Sequence, residues 1–355
     1  MNIGFISYWG YGRGRAYVTL NWAKMLKDEH NLFLIKQGVN TIADDFNIDN
    51  LKITEVPGYD VDPEVFRMWV TTNKLDIVFF NEYNQWFNEG NVLIDICKEL
   101  GIKVTGTLVL EKWNYNTKYT EYDKLLAHSK TFQRFCRMGK IRHHQYVPFS
   151  IDLNEFPKPE KQKHETIRFF HPGGFGGVYD RKNTKLVIDA FKELNDEHTE
   201  LVITSQKSLS ELKLDLPDNI KIIDKNLSRK ELIEEYYKSD CTVLPSKWET
   251  IGIPILESLA AGVPVIIPDI PPMNEFVQNN NNGFACKFNV NEYKDISVGA
   301  AEVKIDSLVK KMKLCLNPLI LPILKRHARE TIEERFDLEK NKRYMKKFIE
   351  DLTNE

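Results

Sequence analysis

Two glutamates, Glu249 and Glu257, stand eight residues apart around a segment that predicts the start of a helix. Gly252 and Pro254 indicate this start, because proline lacks the N–H that a first helical turn leaves unbonded and its φ is already helical. Gly262 predicts the end of the helix. Free N–H groups and the positive end of a helix dipole attract phosphate, so the segment predicts a phosphorylated ligand just ahead of Pro254.

The spacing of the two carboxylates also suits a ligand of a particular size. Eight helical residues rise about 12 Å, comparable to the reach from a ribose across two phosphates to a sugar. We therefore expect a nucleotide sugar between them, with Glu257 accepting hydrogen bonds from ribose hydroxyls and Glu249 meeting the transferred sugar. A bare pair of glutamates would favour an ordinary amphipathic helix with solvated acids, but the surrounding residues outweigh that interpretation.

Those surrounding residues resemble the signature of the retaining glycosyltransferases of family four, which carry Glu, seven residues and Glu in one domain. Segments 272–277 and 282–284 also resemble the stretch downstream of the signature in that family. The resemblance implies an α/β protein of the GT-B fold, with two Rossmann-like doubly wound parallel-sheet domains facing across a cleft. The matching residues are Pro245, Ser246, Glu249, Gly252, Pro254, Glu257, Ala260, Ala261, Gly262, Pro264 and Val265.

The apolar pattern independently predicts parallel sheets, because short apolar runs alternate with amphipathic helices along the chain. The first series has predicted strands at 3–7, 32–35, 77–80 and 103–108, and predicted helices at 17–28, 92–100 and 125–137. The second series has predicted strands at 167–170, 201–204, 221–223, 242–244 and 263–267, and predicted helices at 184–194 and 229–237.

A polar stretch with three prolines, 148–165, interrupts both series and predicts the linker. We expect an N-terminal, acceptor-binding domain at 1–155 and a nucleotide-sugar-binding domain at 156–336. The resemblance alone implies that a final helix, within 337–355, crosses back onto the N-terminal domain.

Glycine turns and two cations follow the first strand of each series and suggest phosphate contacts. A departing diphosphate gains charge, which a fixed lysine or arginine stabilises most as the bond breaks. The resemblance implies this role for Lys182, and we predict that Arg181 assists it. The predicted donor contacts are Glu257, Gly252, Ile253, Thr250, Gly12, Gly14 and Gly174.

The chain departs from the family pattern at two positions. The arginine expected about six residues before Lys182 falls at Gly176, so either Arg181 or an N-domain arginine substitutes, or fewer charges hold the diphosphate. Many family members also have a histidine after a middle strand of the first domain, and here Glu111 and Trp113 are the nearest candidates for sugar or acceptor contact. The predicted catalytic residues are thus Glu249, Lys182, Arg181 and Glu111.

The composition excludes several other classes of protein. A formal net charge of −2 gives no global field that would recruit nucleic acid. Five widely spaced cysteines without a Cys-x-x-Cys pair argue against a disulfide framework and a zinc site, and we expect neither metal nor cofactor besides the nucleotide-sugar substrate. No apolar run is long enough for a membrane span, which predicts a cytoplasmic protein. The basic stretch 130–144 could touch an anionic membrane, but a solvated helix face is favoured; the oligomeric state stays open.

The predicted reaction is transfer of a sugar from a nucleotide diphosphate sugar to an acceptor hydroxyl on a glycan or glycoconjugate, with the anomeric configuration retained. A retaining hydrolase would hold its two carboxylates about 5 Å apart, whereas this pair is spread along a phosphate-binding helix. We therefore expect metal-independent front-face substitution. The alternatives are a sugar phosphorylase or sugar-nucleotide epimerase on the same fold, and a nucleotide-sugar-binding protein without catalysis.

Overall fold

The computed structural model describes residues 1–10, 14–38, 46–87, 90–113, 119–158, 166–175, 181–206, 216–292 and 298–354. The chain divides into two compact units. The first unit consists of Met1–Ser150 with Leu338–Glu355, and the second unit is Ile151–Asp337. The division after Ser150 falls a few residues before the predicted boundary at 155.

The first unit contains a seven-stranded parallel sheet with the order β3-β2-β1-β4-β5-β6-β7. Its strands are β1 (Asn2–Tyr8), β2 (Asn31–Gln37), β3 (Leu51–Val56), β4 (Ile77–Asn81), β5 (Lys103–Thr107), β6 (Lys124–Ala127) and β7 (His144–Tyr146). Its helices within the first 150 residues are α1 (Gly14–Leu26), α2 (Pro63–Thr72), α3 (Tyr83–Trp86), α4 (Gly90–Glu99) and α5 (Lys130–Met138).

One predicted helix of the first unit is wrong at its start. The prediction for 125–137 ran through a buried strand, β6, which pairs with β5 and β7. Helix α5 begins only after Ser129, whose hydroxyl accepts a hydrogen bond from the Phe132 N–H at 3.0 Å. The prediction failed at this point because a short apolar run is equally compatible with a buried strand and with a helical turn.

The second unit contains a six-stranded parallel sheet with the order β10-β9-β8-β11-β12-β13, and a separate two-stranded antiparallel sheet. Its strands are β8 (Ile167–Gly174), β9 (Thr199–Ser205), β10 (Ile220–Asp224), β11 (Cys241–Val243), β12 (Val265–Pro268), β13 (Gly283–Cys286), β14 (Phe288–Asn291) and β15 (Ala300–Val303). Its helices are α6 (Thr184–Leu194), α7 (Arg229–Tyr237), α8 (Ile253–Ala260), α9 (Ile305–Cys315) and α10 (Leu321–Thr331).

The last helix, α11 (Leu338–Asn354), belongs to the first unit although the chain reaches it from the second. Its Met345 and Phe348 are fully buried. The Asn341 amide donates to the Ser150 hydroxyl at 3.0 Å, and Lys342 pairs with Asp28 at 2.8 Å. No helix in the described ranges has the length and apolar content that crossing a membrane requires.

Candidate functional site

The helix predicted to start between the two glutamates is α8, and its first turn begins directly after Gly252. Gly252 has φ +80°, a left-handed conformation that costs glycine little. A Cβ at this position would lie 2.9 Å from the Ile255 Cδ1 atom, so the end of the Ile255 side chain would have to shift to make room for it. The positive end of the α8 dipole therefore lies at a turn that a glycine is needed to build.

The end of α8 is also set by local sequence. Gly262 has φ +74°, and its N–H donates to the Leu259 carbonyl at 3.0 Å. The next N–H, from Val263, donates to the Ser258 carbonyl at 2.9 Å. This pair of bonds is a Schellman motif, which confirms the predicted helix end.

Glu249 lies in the loop ahead of α8 and is 7% exposed. Its two carboxylate oxygens have different cationic partners. Oε1 lies 2.6 Å from the Lys182 ammonium, and Oε2 lies 2.6 Å from a guanidinium nitrogen of Arg181. Arg181 also donates to the Trp248 carbonyl at 3.2 Å. The residue predicted to meet the sugar is thus the centre of a two-cation cluster.

Burial and the charges of this cluster shift the pKa values of Glu249 and Lys182. Burial is the largest single influence on the pKa of Glu249 and raises it, but Arg181 and Lys182 together outweigh burial and lower the pKa to about 2. Burial lowers the pKa of Lys182, while the charges of Glu249 and Glu257 oppose that lowering. Both carboxylates of the sequence motif therefore act electrostatically on the same ammonium group.

Two hydrogen bonds to backbone carbonyls join the cation segment to the glutamate segment. The Lys247 N–H donates to the Arg181 carbonyl at 2.7 Å, and the Asn183 side chain donates to the Pro245 carbonyl at 3.3 Å. Asn183 has φ +61° and precedes helix α6. These bonds hold two segments more than sixty residues apart in sequence at the carboxyl ends of neighbouring strands β8 and β11.

Glu257 lies in α8 and is 3% exposed. Its Oε1 atom contacts the Arg229 guanidinium, and its Oε2 atom accepts a hydrogen bond from the Tyr236 hydroxyl at 3.1 Å. Arg229 also donates from Nε to Glu155 at 3.0 Å and lies over the Phe156 ring at 5.4 Å from its centroid. Glu257 therefore has two protein partners supplied by helix α7.

His171 is fully buried in β8. Its Nδ1 atom lies 2.7 Å from the Val243 carbonyl, and because a carbonyl only accepts, Nδ1 carries the proton. The Thr184 hydroxyl, 2.9 Å away, then donates to Nε2. Burial lowers the pKa of His171 to about 4, so this side chain is a neutral, packed residue at neutral pH.

Comparison with known proteins agrees with this architecture. Residues 174–313, less than half of the chain, match the family model described as "Glycosyl transferases group 1". Two solved structures align over the whole chain: sucrose-phosphate synthase from Thermosynechococcus elongatus and the Anabaena protein Alr3699/HepE in complex with UDP-glucose. The sucrose-phosphate synthase has a TM-score of 0.79 and 14% sequence identity, and the alignment covers 99% of its chain. The Anabaena protein has a TM-score of 0.74 and 13% sequence identity, and the alignment covers 100% of its chain.

The chain has the GT-B fold.

Among curated sequences, an uncharacterized glycosyltransferase from Sulfolobus islandicus rod-shaped virus 1 is 31% identical over 146 residues. That match covers 39% of this chain and 42% of the relative, so the chain spans less than half the length of the curated relative it matches. The family match begins at Gly174 and includes Arg181, Lys182, Glu249 and Glu257, so it lies entirely within the second unit of this GT-B chain.

The second unit of the GT-B chain brings together most of the predicted site residues. Glu249, Lys182 and Arg181 are in contact, and Thr250, Gly252 and Ile253 follow Glu249 directly in the chain. Gly174 ends strand β8 with φ +65°, and its carbonyl accepts from the Gln206 N–H at 2.9 Å.

Other predicted residues belong elsewhere. Glu111 lies in a short turn of the first unit, Leu110–Lys112, and Gly14 is the first residue of α1 in that unit. Gly12 and Gly176 lie outside the described residues. Sequence analysis missed Arg229 and Tyr236, although their spacing of seven on one predicted helix puts them on the same helical face.

Proposed function

We propose that this protein is a retaining glycosyltransferase that moves a sugar from a nucleoside diphosphate sugar to a hydroxyl of a glycan or glycoconjugate. The observation that carries the proposal is the buried contact of Glu249 with Lys182 and Arg181, in the loop that leads into α8. The match of residues 174–313 to a glycosyltransferase family model supports it.

Lys182 and Arg181 stabilise the diphosphate as it leaves the sugar. A lysine ammonium has three donors and an arginine guanidinium has five, so both can bind phosphate oxygens while they keep a bond to Glu249. Because the cations are held in place before the reaction, little reorganisation is needed when charge develops. Arg181 takes the role of the arginine that the family has at the position of Gly176.

Glu249 accepts hydrogen bonds from the hydroxyls of the transferred sugar, and its low pKa keeps it an acceptor at neutral pH. Glu257 holds the ribose of the donor. The acceptor attacks the same face of the sugar from which the diphosphate leaves, and a phosphate oxygen takes the acceptor proton. This front-face substitution needs neither a covalent enzyme intermediate nor a metal. We also propose that Glu111, in the first unit, contacts the sugar or the acceptor.

The donor is identified first by thermal shift with UDP, GDP and ADP and their common sugars, since a ligand that binds the folded state raises the unfolding temperature. The UDP-glucose complex of the Anabaena neighbour makes uridine nucleotides the first choice. Sugar transfer is then measured with and without acceptor glycans, and with EDTA. Loss of activity in EDTA contradicts the metal-independent scheme.

Product analysis separates the alternatives on the same fold. A phosphorylase releases a sugar phosphate, an epimerase changes the sugar nucleotide without acceptor, and a binding protein leaves the donor intact. An α-linked product from an α-linked donor, seen by NMR, supports retention. An inverted product contradicts the mechanism while leaving the transferase activity in place.

A further inference from the structure

The side chain of Glu257 is held by one face of helix α7. Arg229 begins that helix and Tyr236 lies two turns further on, so the two side chains point to the same side. Arg229 contacts Oε1 of Glu257, and the Tyr236 hydroxyl donates to Oε2 at 3.1 Å. Each carboxylate oxygen thus has its own donor, which sets the rotation of the carboxylate plane.

The two donors are themselves held firmly. Arg229 is 8% exposed and Tyr236 is fully buried. The Arg229 guanidinium also bonds Glu155 and lies over the Phe156 ring. The helix start is fixed by a capping box, in which the Ser228 hydroxyl accepts from the Glu231 N–H and the Glu231 carboxylate accepts from the Ser228 N–H.

Among the residues that the structure describes, the partners of Glu257 use only half of its hydrogen-bonding capacity. A carboxylate has about four acceptor sites, and Arg229 and Tyr236 each occupy one of them. The two that remain equal the number of donors that the 2′- and 3′-hydroxyls of a ribose present. A carboxylate that was free to rotate would have to be ordered when the ligand binds, at an entropic cost that this arrangement avoids.

We infer that Arg229 and Tyr236 are positioning residues that orient Glu257 toward a ribose diol, and that they make the site select ribonucleotides over 2′-deoxyribonucleotides. The inference rests on the proposed function, because it assigns the ribose to Glu257. It adds two residues that touch no part of the substrate and act through Glu257 alone.

The test compares Tyr236→Phe with Tyr237→Phe. Tyr236→Phe removes only the hydroxyl that reaches Glu257. Tyr237→Phe removes a hydroxyl from the neighbouring residue of the same helix, which donates to the Pro157 carbonyl at 2.6 Å instead. Dissociation constants are measured by calorimetry for UDP, GDP and ADP and for the 2′-deoxy form of each. The readout is the ratio of the deoxy to the ribo dissociation constant for the nucleotide that binds tightest.

We expect the wild-type ratio to be about tenfold or more, because one buried carboxylate site loses its hydrogen-bond donor. Tyr236→Phe should lower this ratio about fivefold, by weakening binding of the ribonucleotide more than binding of the deoxy form, which keeps only its 3′-hydroxyl as a donor to Glu257. Tyr237→Phe should keep the wild-type ratio. In turnover, Tyr236→Phe should raise the KM for the donor and leave kcat unchanged, because the ribose interaction is the same in the ground state and the transition state.

Arg229→Lys gives a second measurement. Lysine keeps the charge but cannot bond Glu155 and Glu257 with separate planar nitrogens, so the ratio should fall in this variant as well. Because each ratio compares two ligands on the same protein, partial unfolding of a variant does not change it. A wild-type ratio in both Tyr236→Phe and Arg229→Lys overturns the inference but leaves the proposed function standing. If none of the three nucleotides binds the wild type, the proposed function fails, and the inference fails with it.

Discussion

The two units share one architecture but differ in the charges they bury. Among the described residues, the buried charged side chains of the first unit are two lysines, Lys36 and Lys124. Those of the second unit include four acidic residues and are Lys182, Arg229, Glu235, Asp240, Glu249 and Glu257. The architecture of a parallel sheet covered by helices therefore does not require buried carboxylates.

We infer from this difference that the binding chemistry lies in the second unit. A buried ion pair is weak evidence for stability, because desolvation offsets most of its attraction. Glu249 and Glu257 nevertheless each keep a cationic partner inside the second unit, next to the glycine turn that begins α8. We interpret the larger number of buried charges in the second unit as evidence for a binding site, because the fold that the two units share does not require them.

The largest expected effect comes from Glu249→Ala. Removing this carboxylate leaves Lys182 buried without its partner, which should cost about 3–5 kcal/mol of unfolding free energy. Sugar transfer should fall about 100-fold or more, because Lys182 and Arg181 lose the carboxylate that holds them in place for the developing charge of the diphosphate. Urea unfolding and donor turnover measure the two effects.

The control in the first unit is Glu99→Ala, which breaks an exposed pair with Arg67. It should leave the stability almost unchanged, because water screens an exposed ion pair. Equal losses for the two variants would remove the distinction between the units.

The next effect concerns the turn ahead of α8. Gly252→Ala combines a left-handed φ with the close approach to Ile255, and should cost about 2–3 kcal/mol. Gly101→Ala in the first unit has φ +70° but no atom within 4 Å of the added Cβ, so it should cost only about 1 kcal/mol. Thermal unfolding measures both, and an equal cost would show that the Ile255 contact contributes nothing.

The buried carboxylate of Glu249 should also make the stability of the protein depend on pH. The pKa of Glu249 is lowered from 4.5 to about 2 in the folded state. Its contribution is therefore fully present above pH 4.5 and is lost as the pH falls toward 2. Between pH 5 and pH 3 the wild type should lose about 2 kcal/mol more than Glu249→Gln does. Urea unfolding of both proteins at pH 5 and at pH 3 measures this difference. Equal losses of unfolding free energy in the two proteins would contradict the lowered pKa of Glu249.

The smallest expected effect is that of Arg181→Gln. Arg181 is about one-third exposed, so stability should change little. The kcat for sugar transfer should fall about tenfold, since Lys182 still serves the diphosphate. The exposed Arg67→Gln in the first unit is the matched control and should leave kcat unchanged. An unaltered kcat in Arg181→Gln would mean that Arg181 does not replace the arginine missing at Gly176.

Much of the fold was predictable because buried parallel strands are short apolar runs. Strands β1, β2, β4 and β5 lie where the apolar pattern predicted them. Strand β3 was missed because it lies at the edge of the sheet and most of its side chains are exposed, so its sequence lacks such a run. The GT-B assignment came from a resemblance that covers the second unit best, as the family match does.

Local signals determined the start and end of α8 and the capping box of α7. Each depends on bonds between residues a few positions apart, which the spacing of Gly252, Gly262 and Ser228 reveals directly. The groups that the two glutamates contact depend instead on how distant segments pack. Lys182 lies 67 residues from Glu249 in the chain, and Arg229 lies 28 residues from Glu257. Such partners meet because strands and helices pack side by side, and no periodicity in the sequence encodes that meeting.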